Sequence, residues 1–460
     1  MPPAVGASAD TYYKLRNTKA LLFESLPDMT KTFLSLDLEQ VMPTNIPPTP
    51  TDRDIIYDWN TEGTNAFPPP EHKVELYDET LRDGIQSPSA LDPPVDVKLE
   101  ILRLMDKLGI ESADVGLPAA SQRNFDDVVR MIRMIRDENL GIQPACAGRT
   151  VVSDVTRIAE ASQACGTPIN IYTFIGSSPI RQVAEDWDLA LLIKRTREAV
   201  RAGTSEGLPV AFVTEDTIRS DPEDLKQLFQ AALDEGATCL CLCDTVGHAT
   251  PAGAANLVRW TRDFLNDRGY QDVRIDWHGH NDRGLALANA LSAASAGAQR
   301  VHGTSIGIGE RVGNAATDQL LVNMWLLGWI ERDLSALTDY CAVASKALGF
   351  DVPINYPAVG RDAFRTATGV HASAILKAEL RGDLDLADRV YSGVPAAAIG
   401  RSQKIELGPM SGRSNAIFWL RNHGMEPDQP KIDALLRAAK QSNRTITEQE
   451  CLQALNDSRS

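Results

Sequence analysis

The 460-residue sequence is short of positive charge. It carries 46 lysine and arginine residues against 62 aspartate and glutamate residues, a formal net charge of −16. Such a protein lacks the basic field that attracts nucleic acids and anionic membranes, so we expect neither as a partner. Long apolar runs are also missing, since no stretch approaches the ~20 residues of a membrane helix. The amino terminus lacks the basic start and apolar core of a signal peptide.

Cysteine is scarce as well, with seven residues, an odd number. None of them has the paired C-x-x-C spacing of a structural zinc site. Cys239, Cys241 and Cys243 alternate along one predicted strand and therefore share a face, where we interpret them as small packing residues. A soft-metal site is the alternative interpretation. Unpaired cysteines are typical of a reducing compartment, so the sequence predicts a cytoplasmic protein.

The first part of the chain has no regular pattern. Seven prolines between positions 43 and 70 interrupt any long element. A helix is predicted only at residues 12–23. We interpret residues 1–70 as an N-terminal extension whose function the sequence does not indicate.

From residue 74 onward, short apolar or β-branched runs alternate with amphipathic helical patterns. Eight runs are predicted strands, at residues 74–83, 112–118, 142–148, 169–175, 209–215, 239–245, 274–280 and 300–309. The clearest helical patterns between them are residues 95–108, 125–137, 188–202, 222–234, 252–264 and 285–296. Eight strands alternating with helices over roughly 250 residues predict a (β/α)8 TIM barrel, with a doubly wound sheet as the alternative.

The barrel pattern extends over residues 71–330 and stops there. The remaining residues, 331–460, predict a small and mainly helical second domain. Its helical segments are expected at residues 333–348, 414–422 and 431–442. The chain contains no internal repeat and no low-complexity tail.

The most informative stretch is Asp276-Trp277-His278-Gly279-His280-Asn281-Asp282-Arg283-Gly284, at the end of a predicted strand. Residues two apart in a strand share a face, so His278 and His280 should project together. Two neutral imidazoles in this arrangement are half of a divalent metal site. Chance spacing or solvation of a strand end is the alternative.

Polar side chains also mark the other predicted strand ends. They are Arg82, Asp83, Asp114, Arg149, Glu215, Asp216, Asp244, Thr245, Glu310 and Asn314. TIM barrels place catalytic side chains at the carboxyl ends of their strands, so this distribution predicts an active site there. Polar residues that simply mark where strands leave the core are the alternative explanation.

Three motifs together resemble the DRE-TIM metallolyase superfamily. They are Asp78-Glu79-Thr80-Leu81-Arg82-Asp83-Gly84, His278-Gly279-His280-Asn281-Asp282 and Gly309-Glu310-Arg311-Val312-Gly313-Asn314. The third resembles the Claisen-condensing branch, namely the isopropylmalate, homocitrate and citramalate synthases. The lyase branch, typified by hydroxymethylglutaryl-CoA lyase, carries a cysteine-bearing glycine loop that we do not find at the corresponding place. The resemblance covers residues 72–425.

The resemblance implies a (β/α)8 enzyme that needs a divalent cation, either zinc, magnesium or manganese. Its ligands would be Asp83, His278, His280 and Asn314. The implied reaction is a Claisen condensation of acetyl-CoA, the co-substrate, with a 2-oxo acid, giving a 2-alkylmalate-type hydroxy acid and CoA. An isopropylmalate synthase-like activity is the first expectation. Homocitrate, citramalate or Re-type citrate synthase activity, a carbon–carbon lyase or aldolase, and a non-catalytic homologue are the alternatives.

The resemblance also implies roles for individual residues. Arg82 would stabilise the oxyanion that develops on the ketone. Thr245, Arg149 and Gln86 would join Arg82 in binding the substrate. The remaining implied catalytic residues are Glu215, Glu310, His371 and Tyr391.

His371 and Tyr391 belong to the second domain and would reach the barrel mouth of a partner subunit. The resemblance therefore implies a homodimer with exchanged C-terminal domains. Taken singly, each implied site residue also has an ordinary structural explanation, such as a cap or a surface ion pair.

Two positions depart from the family pattern. Ile85 stands where many relatives have a glutamate, and Arg181 ends a loop that in isopropylmalate synthases often ends in histidine. Arg181 could pair with a second substrate carboxylate, with a CoA phosphate, or with solvent. The sequence ends soon after the second domain, so we expect no leucine-sensing regulatory domain.

Overall fold

The computed structural model describes residues 56–63 and 67–458. The chain divides into two compact units, residues 1–63 and residues 64–460. In the first unit the described residues contain one short 3₁₀ helix, Trp59–Thr61, which begins after the capping side chain of Asp58. The helix predicted at residues 12–23 lies outside the described residues.

The second unit contains eight parallel strands that close into a barrel in chain order, with the eighth strand paired to the first. The strands are β1 Glu75–Asp78, β2 Ser112–Asp114, β3 Gln143–Arg149, β4 Asn170–Gly176, β5 Val210–Glu215, β6 Cys239–Asp244, β7 Arg274–Gly279 and β8 Arg300–Gly303. This topology confirms the (β/α)8 prediction and excludes the doubly wound sheet. The first and last strands are shorter than predicted, because the polar segments that follow them form turns.

Helices lie between the strands and cover the barrel. They are α1 Val95–Lys107, α2 Gln122–Asp137, α3 Val152–Cys165, α4 Pro179–Glu185, α5 Leu189–Ser205, α6 Pro222–Asp234, α7 Pro251–Asp267, α8 Ala286–Ser295 and α9 Thr317–Leu326. In α2, the apolar residues Val128, Ile132 and Ile135 recur at helical spacing and are buried against the barrel. Helix α6 has the predicted bounds, because Asp221 caps its first turn and Pro222 occupies its first position.

Side chains from alternate strand positions fill the barrel interior. Cys239, Cys241 and Cys243 pack there with Tyr77 and Tyr172. The packing interpretation of the three cysteines is therefore confirmed.

The residues after the barrel are mainly helical, as predicted. They form α10 Leu337–Leu348, α11 Gly369–Leu380, α12 Leu384–Arg389, α13 Arg413–Asn422, α14 Gln429–Gln441, α15 Glu448–Asp457 and the paired short strands β9 Arg365–Thr366 and β10 Lys404–Ile405. Helix α10 joins the hydrophobic core of the barrel, and its Tyr340 hydroxyl donates a 2.5 Å hydrogen bond to Asp78. Helices α13 to α15 form a smaller core of their own. A domain boundary at residue 330 stays a prediction.

Within residues 56–63 and 67–458, no helix combines the length and apolar character that crossing a membrane requires.

Candidate active site

A cluster of potential metal ligands lies at the carboxyl ends of the first and seventh strands. Ligand atoms of Asp83, His278 and His280 all lie within 4.8 Å of one another, and all three residues are buried. The Nε2 atoms of the two histidines are 3.1 Å apart, and His280 Nε2 is 3.8 Å from Asp83 Oδ2. The prediction that the two histidines project together is therefore confirmed.

Burial lowers the pKa of both imidazoles to about 4, so both are neutral near pH 7. Burial alone would raise the pKa of Asp83, but Arg82 and the two histidines hold it well below its ordinary value. The cluster thus combines one carboxylate with two neutral imidazoles. These are the protonation states that metal ligation requires.

Asn314 joins this cluster from the loop after β8. Its Nδ2 donates a 2.8 Å hydrogen bond to Asp83 Oδ1, and a backbone bridge links it to His280. Gly309 lies directly against this pair, since an added Cβ there would be 2.6 Å from Asp83 Oδ1. The glycine therefore leaves the space in which the carboxylate and the amide meet.

Two buried atoms of the cluster accept or donate no hydrogen bond. They are Nδ1 of His280 and Oδ1 of Asn314. Buried polar atoms normally have partners, so the unpartnered oxygen of Asn314, whose amide bonds to Asp83, fits a missing ligand. The His280 atom that faces Asp83 and His278 is Nε2. The mixed nitrogen and oxygen donor set suits zinc, magnesium or manganese. The residues present therefore fit the divalent cation that the sequence predicts.

Arg82 lies beside the cluster and is fixed by carboxylates. Its Nε donates to Asp114 at 3.1 Å, one NH group to Asp83 at 3.1 Å, and the other forms an ion pair with Glu79. Gln86 accepts a long 3.4 Å hydrogen bond from the same guanidinium and is itself exposed. Burial raises the pKa of Asp114 to about 6, although Arg82 opposes the shift. The arginine is thus held rigidly next to the potential ligands.

Glu215 and Thr245 stand at the ends of the neighbouring strands β5 and β6. Burial raises the pKa of Glu215 above its ordinary value, while the guanidiniums of Arg181 and Arg82 oppose the shift. The Thr245 hydroxyl oxygen accepts a 2.9 Å hydrogen bond from the backbone of Asp216. Its own hydrogen remains able to donate to a substrate.

Two other residues that were predicted for the site, Arg149 and Glu310, have contacts that differ from those their predicted roles require. Arg149 ends β3, but its guanidinium forms two 2.9 Å hydrogen bonds with Asp154 and its side chain is 68% exposed. Glu310 contributes its backbone N–H, which lies 3.3 Å from Asp83 Oδ1, while its side chain is exposed. The contacts of these two side chains do not support a substrate role for Arg149 or a catalytic role for the Glu310 carboxylate. Both roles stay predictions.

His371 and Tyr391 meet each other in the C-terminal region. Their rings stack with centroids 4.0 Å apart, and His371 Nδ1 lies 3.4 Å from the Thr366 hydroxyl. Tyr391 also lines a cleft of about 550 Å³ between α11 and the first turn of α13. The contacts described for this pair are therefore within the C-terminal region and not with the Asp83 cluster.

The sequence analysis did not assign a role to Glu79 or His302. Glu79 Oε1 lies 2.9 Å from His278 Nδ1 and 2.5 Å from His302 Nδ1, directly beneath the potential ligands. His302 in turn faces Asp276 at 3.3 Å. Alternation along the predicted eighth strand could have shown from the sequence that His302 lies inside the barrel. It could not have shown that Glu79 is the partner of the ring.

Comparisons with known proteins identify related sequences and structures. Residues 73–345 match the HMGL-like family. Homocitrate synthase AksA of Methanopyrus kandleri is 32% identical over 80% of this chain and 87% of its own length. A 2-isopropylmalate synthase of Pyrococcus abyssi is 34% identical over 74% of this chain and 68% of its own.

Solved structures agree on the fold. Hydroxymethylglutaryl-CoA lyase from Pseudomonas aeruginosa superimposes with a TM-score of 0.53 at 19% identity, covering 62% of this chain and 95% of the lyase. At this identity the similarity concerns the barrel alone. The matched segment and the sequence identity to these relatives show that the chain belongs to the HMGL-like family of DRE-TIM barrel proteins.

Proposed function

We propose that this protein catalyses the metal-dependent Claisen condensation of acetyl-CoA with a 2-oxo acid, giving a 2-alkylmalate-type hydroxy acid and CoA. The observation that carries the proposal is the convergence of Asp83, His278, His280 and Asn314 beside the fixed guanidinium of Arg82. Relatives of about 30% identity are named homocitrate, 2-isopropylmalate and citramalate synthases.

A divalent cation held by these four residues would supply Lewis acidity that polarises the ketone. Arg82 would stabilise the negative charge that develops on the ketone oxygen, because Glu79 and Asp114 keep its guanidinium in place. Thr245 would donate its hydroxyl hydrogen to the carboxylate of the 2-oxo acid. The arrangement therefore binds and orients the acceptor at the strand ends.

The reaction requires a base that removes a proton from the acetyl methyl group, an acid for the new alkoxide, and water that hydrolyses the thioester to CoA. The pKa of Glu215 is raised by burial, which suits a carboxyl group that exchanges protons. We propose that His371 and Tyr391 complete the site of a partner subunit in a domain-exchanged homodimer. Because the two rings stack on each other, they would enter the partner's site together.

Besides a second copy of the chain, we propose small-molecule partners and a cytoplasmic location. The net charge of −16 disfavours nucleic acids and anionic membranes. The seven cysteines are free and buried, which suits a reducing compartment. We propose acetyl-CoA and a 2-oxo acid as the ligands of the barrel mouth.

Arg181 offers an alternative acceptor, a 2-oxo acid with a second carboxylate as in a homocitrate-type reaction, if that carboxylate replaces the Glu185 carboxylate as the partner of its guanidinium. Arg181 lies on the inner side of β4, because an added Cβ on Gly176 would be 2.8 Å from its Nε. Its guanidinium is 3.8 Å from Glu215 and 2.8 Å from Glu185, and its side chain is 41% exposed. A positive charge at this rim could bind the distal carboxylate of the acceptor.

The test is release of CoA thiol from acetyl-CoA against pyruvate, 2-oxoisovalerate, oxaloacetate and 2-oxoglutarate, with and without a chelator. We expect chelator-sensitive release with one acceptor. Arg181→Met should raise the KM of a dicarboxylic acceptor about tenfold or more and leave a monocarboxylic acceptor unaffected. Absence of thiol release with every acid, together with cleavage of a hydroxy acid, would instead identify a lyase.

A further inference from the structure

The carboxylate of Glu79 is buried beneath the potential ligands and faces three N–H donors. Glu79 follows β1, and its Oε1 is 2.9 Å from Nδ1 of His278 and 2.5 Å from Nδ1 of His302. Its other oxygen forms the ion pair with Arg82. Both carboxylate oxygens therefore face N–H donors, and the residue is only 1% exposed.

The tautomer of His302 follows from its two neighbours. Its Nδ1 is close to Glu79, whereas its Nε2 is 3.3 Å from Asp276 Oδ2, which already accepts a 2.6 Å hydrogen bond from Tyr172. Both ring nitrogens face carboxylate oxygens, and the shorter contact, with Glu79, favours the hydrogen on Nδ1. His302 therefore donates to Glu79.

Contacts with Tyr77 and Asp276 fix the position of the His302 ring. It stacks on Tyr77 with centroids 4.2 Å apart and an interplanar angle of 21°. Asp276 also accepts a 2.9 Å hydrogen bond from Arg274, so the carboxylate beneath the ring is held as well. His302 thus cannot turn away from Glu79 without disturbing a packed interior.

This arrangement also determines which nitrogen of His278 is free. Because Glu79 accepts a hydrogen bond from His278 Nδ1, that atom carries the hydrogen and Nε2 keeps its lone pair. Nε2 is the atom that faces His280, on the side of Asp83. Carboxylates behind metal-bound histidines fix the ring and its tautomer in this way.

We propose that Glu79 and His302 are a positioning pair that holds His278 in the Nδ1–H tautomer and so prepares its Nε2 to bind the divalent cation. Neither residue touches the substrate in this account. The inference rests on the proposed function, since it concerns the cation that the condensation needs.

The first test uses metal-free protein labelled with ¹⁵N-histidine, in which NMR identifies the protonated nitrogen of each ring. The His278 signal is assigned with His278→Asn. We expect Nδ1 to be protonated in the wild type. In Glu79→Gln, the amide oxygen must face Arg82, because a guanidinium only donates, so the amide NH₂ faces the two imidazoles. His278 Nδ1 must then accept, and His278 should shift toward the Nε2–H tautomer.

The second test is titration of the full-length protein with Mn²⁺ and Zn²⁺. Glu79→Gln should weaken affinity about 10- to 100-fold. His302→Leu should also weaken it, while His302→Asn, which has a similar shape and keeps an N–H near the position of Nδ1, should restore most of the loss. Glu100→Gln, on the exposed face of α1, is the matched control and should bind like the wild type.

An unchanged His278 tautomer in folded Glu79→Gln overturns the proposal, and so does equal loss of affinity in His302→Leu and His302→Asn. Failure of the wild type to bind either cation would count against the proposed function. The tautomer measured in metal-free protein would still decide this inference, so the two failures are distinguishable.

Discussion

The carboxylate of Asp318 accepts a 2.8 Å hydrogen bond from the backbone N–H of Ile306, a non-glycine residue in the left-handed conformation with φ of 46°. Ile306 precedes the loop that carries Asn314 to the Asp83 cluster. The other Asp318 oxygen is buried. The aspartate therefore stabilises an unfavourable backbone conformation next to the site.

Asp318 should make stability depend on pH. Burial raises its pKa to about 7 from an ordinary value of 3.8, so the folded protein binds this proton more tightly than the unfolded chain. The contribution to stability is complete below pH 3.8 and is lost as pH rises through 7. Asp318→Asn should remove this dependence, a difference of a few kcal/mol between about pH 4 and 8.

Urea unfolding at several pH values measures this effect. Asp263→Asn, an exposed change on α7, is the control and should keep the wild-type dependence. Parallel stability curves for the wild type and Asp318→Asn would contradict the prediction.

Gly309→Ala should damage the cation site. The added Cβ would lie 2.6 Å from Asp83 Oδ1 and would overlap the Asn314 amide, so the hydrogen bond between the two ligands must break. We expect at least a roughly tenfold loss of Mn²⁺ affinity. Gly393→Ala meets nothing within 4 Å and is the matched control. Equal affinity of both variants would show that the site accommodates the methyl group.

Arg82→Lys should reduce kcat/KM by about 10²- to 10³-fold, because one ammonium cannot replace a guanidinium bound to Glu79, Asp83 and Asp114. Cation affinity should change much less. Thiol release and Mn²⁺ titration measure the two effects separately. Arg103→Lys, in an exposed pair with Glu138, should have wild-type kinetics, and similar kinetics for Arg82→Lys would exclude the oxyanion role.

The exchanged dimer can be tested by complementation. Arg82→Ala disables the barrel and His371→Ala disables the C-terminal residues, so each homodimer should be inactive. When the two chains are co-expressed, each mixed dimer would contain one site with both residues intact, and activity should return to about a quarter of the wild type. If each site uses only its own chain, co-expression will restore nothing.

Much of the barrel was predictable from the sequence. Local periodicity indicates strands and helices, and caps such as Asp221-Pro222 mark helix starts. The spacing of His278 and His280 alone predicts that they share a face, because strand geometry fixes that relation over two residues. Asp83 and Asn314 could be added only through the family resemblance, since 231 positions separate them.

Tertiary structure decided the contacts of the individual side chains. Alternation places Arg149 on the same strand face as Ala145, yet its guanidinium turns to Asp154 five positions later. Likewise, Glu79 and His302 are 223 positions apart and meet only because β8 closes the barrel against β1. The sequence by itself determined the order of elements and the residues at the strand ends, because those depend on local periodicity. The pairing of charged side chains inside the barrel depends on the closure of β8 against β1. No local sequence pattern encodes that closure.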